Sequence, residues 1–227
     1  MRKLWFLCLA LVLAMGSLGV GYAMWSDTLT ITGNVNTGEL VVEFSSQYDN
    51  DDGQQNDPME AGSWSGFDTR EPEWVGNRYE KNVASTTSTF VDGGTTAQIL
   101  ITGGYPCYWG SVAWDITNTG TIPVKLFSVK LIELSKNTPV WTGSIDLVIG
   151  TRYYVDVDRP NIDTTLDAGD DFSFILSAHG TDQIDPDTWA NSDGIAYLDV
   201  TVHVEQDAEE KTLYDFKIEY VFAQWNE

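Results

Sequence analysis

From Tyr214 to Phe222 an aromatic or branched apolar residue stands at every second position: Tyr214, Phe216, Ile218, Tyr220 and Phe222. Asp215, Lys217 and Glu219 fill three of the gaps. A repeat of two puts all five apolar side chains on one face of a strand and scatters them around a helix. The same repeat recurs at Leu198, Val200, Val202 and Val204, at Phe172, Phe174 and Leu176, and at Val112, Trp114 and Ile116. It also runs through Leu40, Val42 and Phe44. No segment carries a sustained helical period. Many short alternating runs separated by turn residues specify an all-β chain, here a jelly-roll-like two-sheet β-sandwich with long acidic loop insertions. Its inner faces are expected to hold Leu40, Val42, Phe44, Val112, Trp114, Ile116, Leu198, Val200, Val202, Phe216, Ile218 and Tyr220.

Further strands are predicted at 28–35, 38–45, 97–102, 124–134, 144–150 and 152–157, with a bulge near Ser128. Asp207 to Glu210 is expected to join the last two strands as an acidic hairpin. Tyr48 to Trp74 is polar, acidic and rich in Gly, Asp, Gln and Ser, which predicts a long loop outside the core. The length of 227 residues suits one domain, 38–227, with a loop-rich insertion over 48–106.

The N-terminus has a different character. Arg2 and Lys3 precede an apolar run from Leu4 to Met15, and small residues lead to Gly21-Tyr22-Ala23. That order is the signature of a cleavable export signal over 1–23, cut between Ala23 and Met24. Export places the mature protein outside the cell, at its surface or in the matrix, with membrane contact only during passage. Leu4 to Met15 is short for a membrane span. Close behind the cut, Leu29, Ile31 and Val35 alternate with Thr28, Thr30 and Thr32. Residues 24–37 thus form a candidate donor strand and joint. A strand this near a free end can pair within its own domain or reach into a neighbour's.

Two segments carry a family resemblance. Ala23-Met24-Trp25-Ser26-Asp27-Thr28, followed by Gly38-Glu39-Leu40-Val41-Val42, resembles the processing site and first strand of the TasA/camelysin-type secreted proteins. Ile116 to Leu126 is similar to that family's Asn-x-Gly-x-x-Pro-x-x-Leu turn, with Asn118, Gly120, Pro123 and Leu126 at the motif positions. The matching stretches cover about a quarter of the chain, and Tyr48 to Pro106 has no counterpart. The resemblance implies a structural subunit of an extracellular filament, a pilus-like or biofilm-matrix fibre, that polymerises with copies of itself by N-terminal donor-strand exchange. It also brings in metallopeptidase activity, since camelysins are described as such.

The residues themselves supply no protease motif. His179 and His203 are the two histidines, and neither lies in a His-Glu-x-x-His arrangement. A zinc site from both histidines plus a carboxylate is left as an alternative. Gly62-Ser63-Trp64-Ser65-Gly66 lacks the spacing of a nucleophile elbow. No catalytic residue is assigned.

Charge narrows the partners. Twelve basic residues against 34 acidic give −22, and loss of Arg2 and Lys3 with the leader leaves 10 against 34, or −24. Such a surface repels nucleic acid and anionic lipid. It suits solubility or cations. Oxygen ligands cluster at Asp49, Asp51 and Asp52 and again at Asp156, Asp158 and Asp163, which makes calcium a candidate ligand. The competing reading is solvated turns. Trp64, Phe67 and Trp74 lie in the polar loop, where they either stack on carbohydrate in a secreted monomeric binding module or pack the loop down. With Cys8 in the leader, Cys107 is left alone, as a buried hydrophobe or an intermolecular partner.

Overall fold

Trp109–Asn118 (β6) is the strand around which the fold is built: Gly110 to Ala113 is a continuous buried run, and Trp114 and Ile116 continue it at alternate positions. It is flanked by Val42–Asp49 (β1) on one side and Ile195–Val204 (β12) on the other. The computed structural model describes residues 5–6, 8–13, 37–66, 72–136, 138–159, 161–179, 183–187 and 195–224. Two units are distinguished, 1–37 and 38–227. In the first, residues 5–6 and 8–13 are helical. Among the described residues no helix is long and apolar enough to cross a membrane. The cleavage site Ala23/Met24 and the candidate donor positions Leu29, Ile31 and Val35 lie outside the described residues.

The second unit is all-β and antiparallel. Its remaining strands are Ser63–Ser65 (β2), Glu73–Val75 (β3), Ser85–Val91 (β4), Thr96–Thr102 (β5), Val124–Lys136 (β7) and Thr138–Leu147 (β8). They continue with Arg152–Asp156 (β9), Asn161–Asp163 (β10), Phe172–His179 (β11) and Tyr214–Gln224 (β13). One sheet has six strands in the order β1-β6-β12-β11-β9-β10, and another has three in the order β13-β7-β8. The hairpins β2-β3 and β4-β5 each stand as a separate pair. The core lies between the two larger sheets. Val112, Phe174 and Val200 from the first meet Val129, Leu131 and Leu134 from the second, all essentially excluded from water. Phe90, Ala97, Ile99 and Ile101 of the β4-β5 hairpin pack on the same core. This is a sandwich in which the layer facing the six-stranded sheet is discontinuous.

Several expectations need correction. Leu40 is 41% exposed, so it is not core. The strand predicted from residue 38 begins at Val42, because 38–41 bond to the Asn118–Ile122 turn instead of a ladder. Val42, Phe44, Phe216, Ile218 and Tyr220 do pack on the core as expected but stay half-buried, whereas Val112, Trp114, Ile116, Leu198, Val200 and Val202 are buried. Asp207–Glu210 does not make a hairpin, since β12 and β13 belong to different sheets and the connection arches across the sandwich. The 48–106 stretch holds two hairpins, and Asn50, Asp51 and Asp57 within it are buried. The bulge expected near Ser128 is present, at the adjacent Phe127, where the β13-β7 register slips.

Candidate functional site

The discontinuity in the second layer is an open groove of about 860 Å³. Its floor is the inner face of the six-stranded sheet, chiefly Phe44, Trp114, Ile116 and Val200. The β4-β5 hairpin, with Ile99, forms one wall, and Phe216, Ile218, Tyr220 and Phe222 of β13 form the other. Among the described residues β13 shares a ladder with β7 alone and β4 and β5 share one only with each other, so both walls end in strand edges. The stretch of β13 that lines the groove, Tyr214 to Phe222, extends about 26 Å at 3.3 Å per residue.

The groove is apolar at its base and mixed at its rim. Phe44 stacks on Phe90 with ring centroids 6.0 Å apart, and lies 5.6 Å from the Trp114 ring. The Trp114 indole Nε1 donates to Ser88 Oγ at 2.7 Å, which ties β4 to the floor. Tyr220 meets Phe44 edge-on at 6.4 Å. Burial, and then the charge of Asp199, raise the Tyr220 phenol well above its ordinary pKa. Its hydroxyl is buried and has no hydrogen-bond partner among the described residues. Glu43, Glu133, Lys217 and Glu219 supply the charged rim. Among the described residues the groove is thus an apolar floor between two strand edges, and such an edge is a template to which a further strand can add.

The acidic positions do different work. Asp51 is fully buried; its Oδ1 accepts from the Gly53 amide at 3.1 Å and its Oδ2 from the Tyr108 hydroxyl at 2.9 Å. Burial pushes its carboxyl pKa up, against the pull of those two bonds. Burial also raises Asp49, helped by the charges of Asp52 and Asp51. Asp52 faces solvent and accepts from Gln54. Asp156 Oδ1 accepts from the amides of Asp158 and Arg159, both at 2.9 Å. Asp163 accepts from Thr165 N at 2.7 Å and from Asn161 Nδ2 at 2.8 Å. These are turn-forming bonds. Among the described residues no group of three or more His, Cys, Asp or Glu side chains is placed to hold a metal ion.

The histidines are not neighbours. On β11 and β12, His203 pairs with Ser173 and His179 with Tyr197, six residues further along, or about 20 Å. The zinc site built from both is therefore not assembled. His203 stacks on Trp109 at 3.9 Å and its Nδ1 lies 2.8 Å from Glu205 Oε1. The Ser173 hydroxyl donates to that same carboxylate oxygen at 2.6 Å, so it is directed to Glu205 and not to the imidazole.

Trp74 is 8% exposed, its Nε1 donates to Ala61 O at 2.9 Å, and the Arg78 guanidinium lies 5.0 Å above its ring. Trp64 is half-buried opposite it in the β2-β3 ladder. Phe67 lies outside the described residues. The loop thus packs on its own tryptophan, which leaves Trp74 no free face for a sugar. Cys107 is partly buried and its thiol lies 3.5 Å from Gln206 Oε1.

Of the segments that carry the family resemblance, the described residues 38–42 touch the Asn118–Ile122 turn. Gly120 N donates to Val41 O at 3.2 Å and Thr121 N to Glu39 O at 2.8 Å. Asn118, fully buried, closes the turn through Nδ2 to the carbonyls of Ile122 and Ile184. Val124 and Leu126, just beyond Pro123, enter the core. Sequence reading missed β4, Ser-Thr-Thr-Ser-Thr-Phe-Val, because its alternation is polar; β-branched threonines were the available signal. Comparison with protein-family models, curated proteins and solved structures gave no match to this chain.

Proposed function

We propose that this chain is a structural subunit of an extracellular filament or biofilm-matrix fibre, in which the N-terminal segment of one copy fills the groove of the next. The observation that carries the reading is the groove itself: among the described residues, a sandwich layer interrupted between the β13 edge and the β4-β5 hairpin, over a floor that holds Phe44 and Trp114. The occupant is residues 25–35 of a second copy. Leu29, Ile31 and Val35 supply an apolar face for the floor, and the intervening threonines suit the outer face of a strand. Main-chain bonds to the walls provide affinity and seated side chains provide register. A head-to-tail contact of this kind does not close, so it propagates into a fibre. The leader-like 1–23 segment and the resemblance to TasA/camelysin-type proteins support an extracellular setting.

Deletion of residues 24–35 from the secreted protein tests the reading. The expected product is a folded monomer that does not polymerise, and that binds an added peptide of the deleted sequence. Filaments that form normally without the segment would refute the proposal.

A further inference from the structure

Residues 38–41 are held by hydrogen bonds and little by burial. Gly38, Glu39 and Leu40 are exposed, Val41 is half-buried, and the β1 ladder begins only at the Val42–Asn118 pair. Fixing such a stretch costs backbone entropy with little burial to offset it. Yet the Asn118–Ile122 turn grips it from both sides. Glu39 N donates to Thr121 Oγ1 at 2.8 Å, Thr121 N returns a bond to Glu39 O at 2.8 Å, and Gly120 N donates to Val41 O at 3.2 Å. Gly120 N also donates to Asn118 Oδ1 at 3.0 Å, so the turn is braced from within. Two glycines make the approach close enough. A Cβ on Gly120 would collide with Glu39 O and sit 2.8 Å from Val41 N, and a Cβ on Gly38 would collide with the Ile122 side chain. Neither glycine is needed for a left-handed backbone; both are needed for proximity.

We propose that the Asn118–Ile122 turn is a clamp on the root of the N-terminal segment, and that it sets the geometry with which each subunit reaches its neighbour. The inference rests on the strand-donation reading and extends it from the acceptor groove to the donor side. In a fibre joined through residues 25–35, every connection between body and donor passes through 38–41. A root fixed by three hydrogen bonds gives one departure point, and so one axial repeat and twist. A loose root gives a distribution of both. Gly120 and Thr121 are positioning residues: they are absent from the groove lining and act through residues 38–41.

The test uses the full secreted chain with Gly120→Ala, which forces residues 39–41 away from the turn, and Thr121→Val, which removes the acceptor for Glu39 N while keeping the side-chain shape. Thr121→Ser, which keeps the hydroxyl, is the rescue. Three readouts separate a clamp from a merely structural turn: the thermal melt, the concentration of a residue 24–35 peptide that halves filament growth, and the filament's repeat and twist by electron microscopy. The peptide's potency should match the parent, because the groove is untouched, and the melt of Thr121→Val should fall by no more than the roughly 2–4 °C that one lost hydrogen bond is worth. Growth should slow by about fivefold, the worth of one hydrogen bond, and repeat and twist should broaden or shift. Thr121→Ser should restore both. Variants that assemble at the parent's rate with the parent's repeat overturn the clamp. A parent chain that forms no filaments, or whose growth the peptide leaves unchanged, overturns the strand-donation reading and the clamp with it.

Discussion

Ile218→Asp is the substitution that best separates an open groove from a closed core. Ile218 sits on the groove wall and is half-buried. In the free subunit an aspartate there stays hydrated through the opening. The loss is part of the isoleucine's burial, about 1–2 kcal/mol out of the roughly 1.5–3 for complete burial. For a domain of this size that lowers the melting temperature by about 2–8 °C. Filling the groove changes the cost. A covered carboxylate must either lose its water or take a proton, and protonating an ordinary aspartate at pH 7 costs about 4 kcal/mol, or roughly a thousandfold in affinity. The variant should therefore melt cooperatively a few degrees below the parent, bind the residue 24–35 peptide about a thousandfold more weakly, and form no filaments. Circular dichroism, a fluorescence titration with labelled peptide and electron microscopy read the three quantities. Normal filaments from the variant would show that the β13 wall is not where a strand docks. A chain that no longer folds would show that Ile218 belongs to a closed core and that the groove argument is mistaken.

Two further outcomes follow from buried carboxylates. Burial raises the pKa values of Asp49, Asp51, Asp115 and Asp170 in the folded chain, so the folded state holds more protons than the unfolded one just above the ordinary carboxylate range. Stability therefore falls as pH rises through that window, and a thermal melt at about pH 5 should lie above one at about pH 7; a higher melt at pH 7 would contradict the assignment. Asp57 is fully buried and accepts from the amides of Val83 and Ala84. Asp57→Ala leaves both donors without an acceptor and should cost about 2–4 kcal/mol, with early proteolytic cleavage in the 50–84 loop, while Asp57→Asn should cost less; equal melts for the two variants would count against those bonds.

The strands were legible because a period of two survives in the most buried segments. β6, β11, β12 and β13 all contain the runs that the alternation marks. Sheet membership was not legible. A connection such as 205–213 is long enough for a hairpin, and equally long enough to cross the roughly 10 Å between packed sheets. Only the pairing of β13 with β7 shows which occurs. The Asp-rich stretch at 49–57 misled for a related reason: residue type says solvent, whereas Asp51 and Asp57 are buried by bonds to Gly53, Tyr108, Val83 and Ala84. The groove left one trace, an excess of aromatic surface on the last strand. The approach of Gly120 to residues 39–41 was likewise hidden, since the two segments lie some eighty positions apart and a glycine's lack of a side chain matters only once its neighbour is known.

The β4-β5 hairpin has its own seven-pair ladder and, among the described residues, one main-chain bond outward, from Thr86 N to Asp51 O at 2.7 Å. The rest of its attachment is side-chain contact, through Ser88, Thr86 and Phe90. It shares no rung with either large sheet, so it is expected to open at a lower free energy than the sheets behind it. A strand laid against its free edge would stitch that unit to β13 and merge two folding units into one. Subunits inside a fibre would then be stiffer than free ones, and their slowest-exchanging amides would extend into a hairpin that in the monomer exchanges on its own schedule.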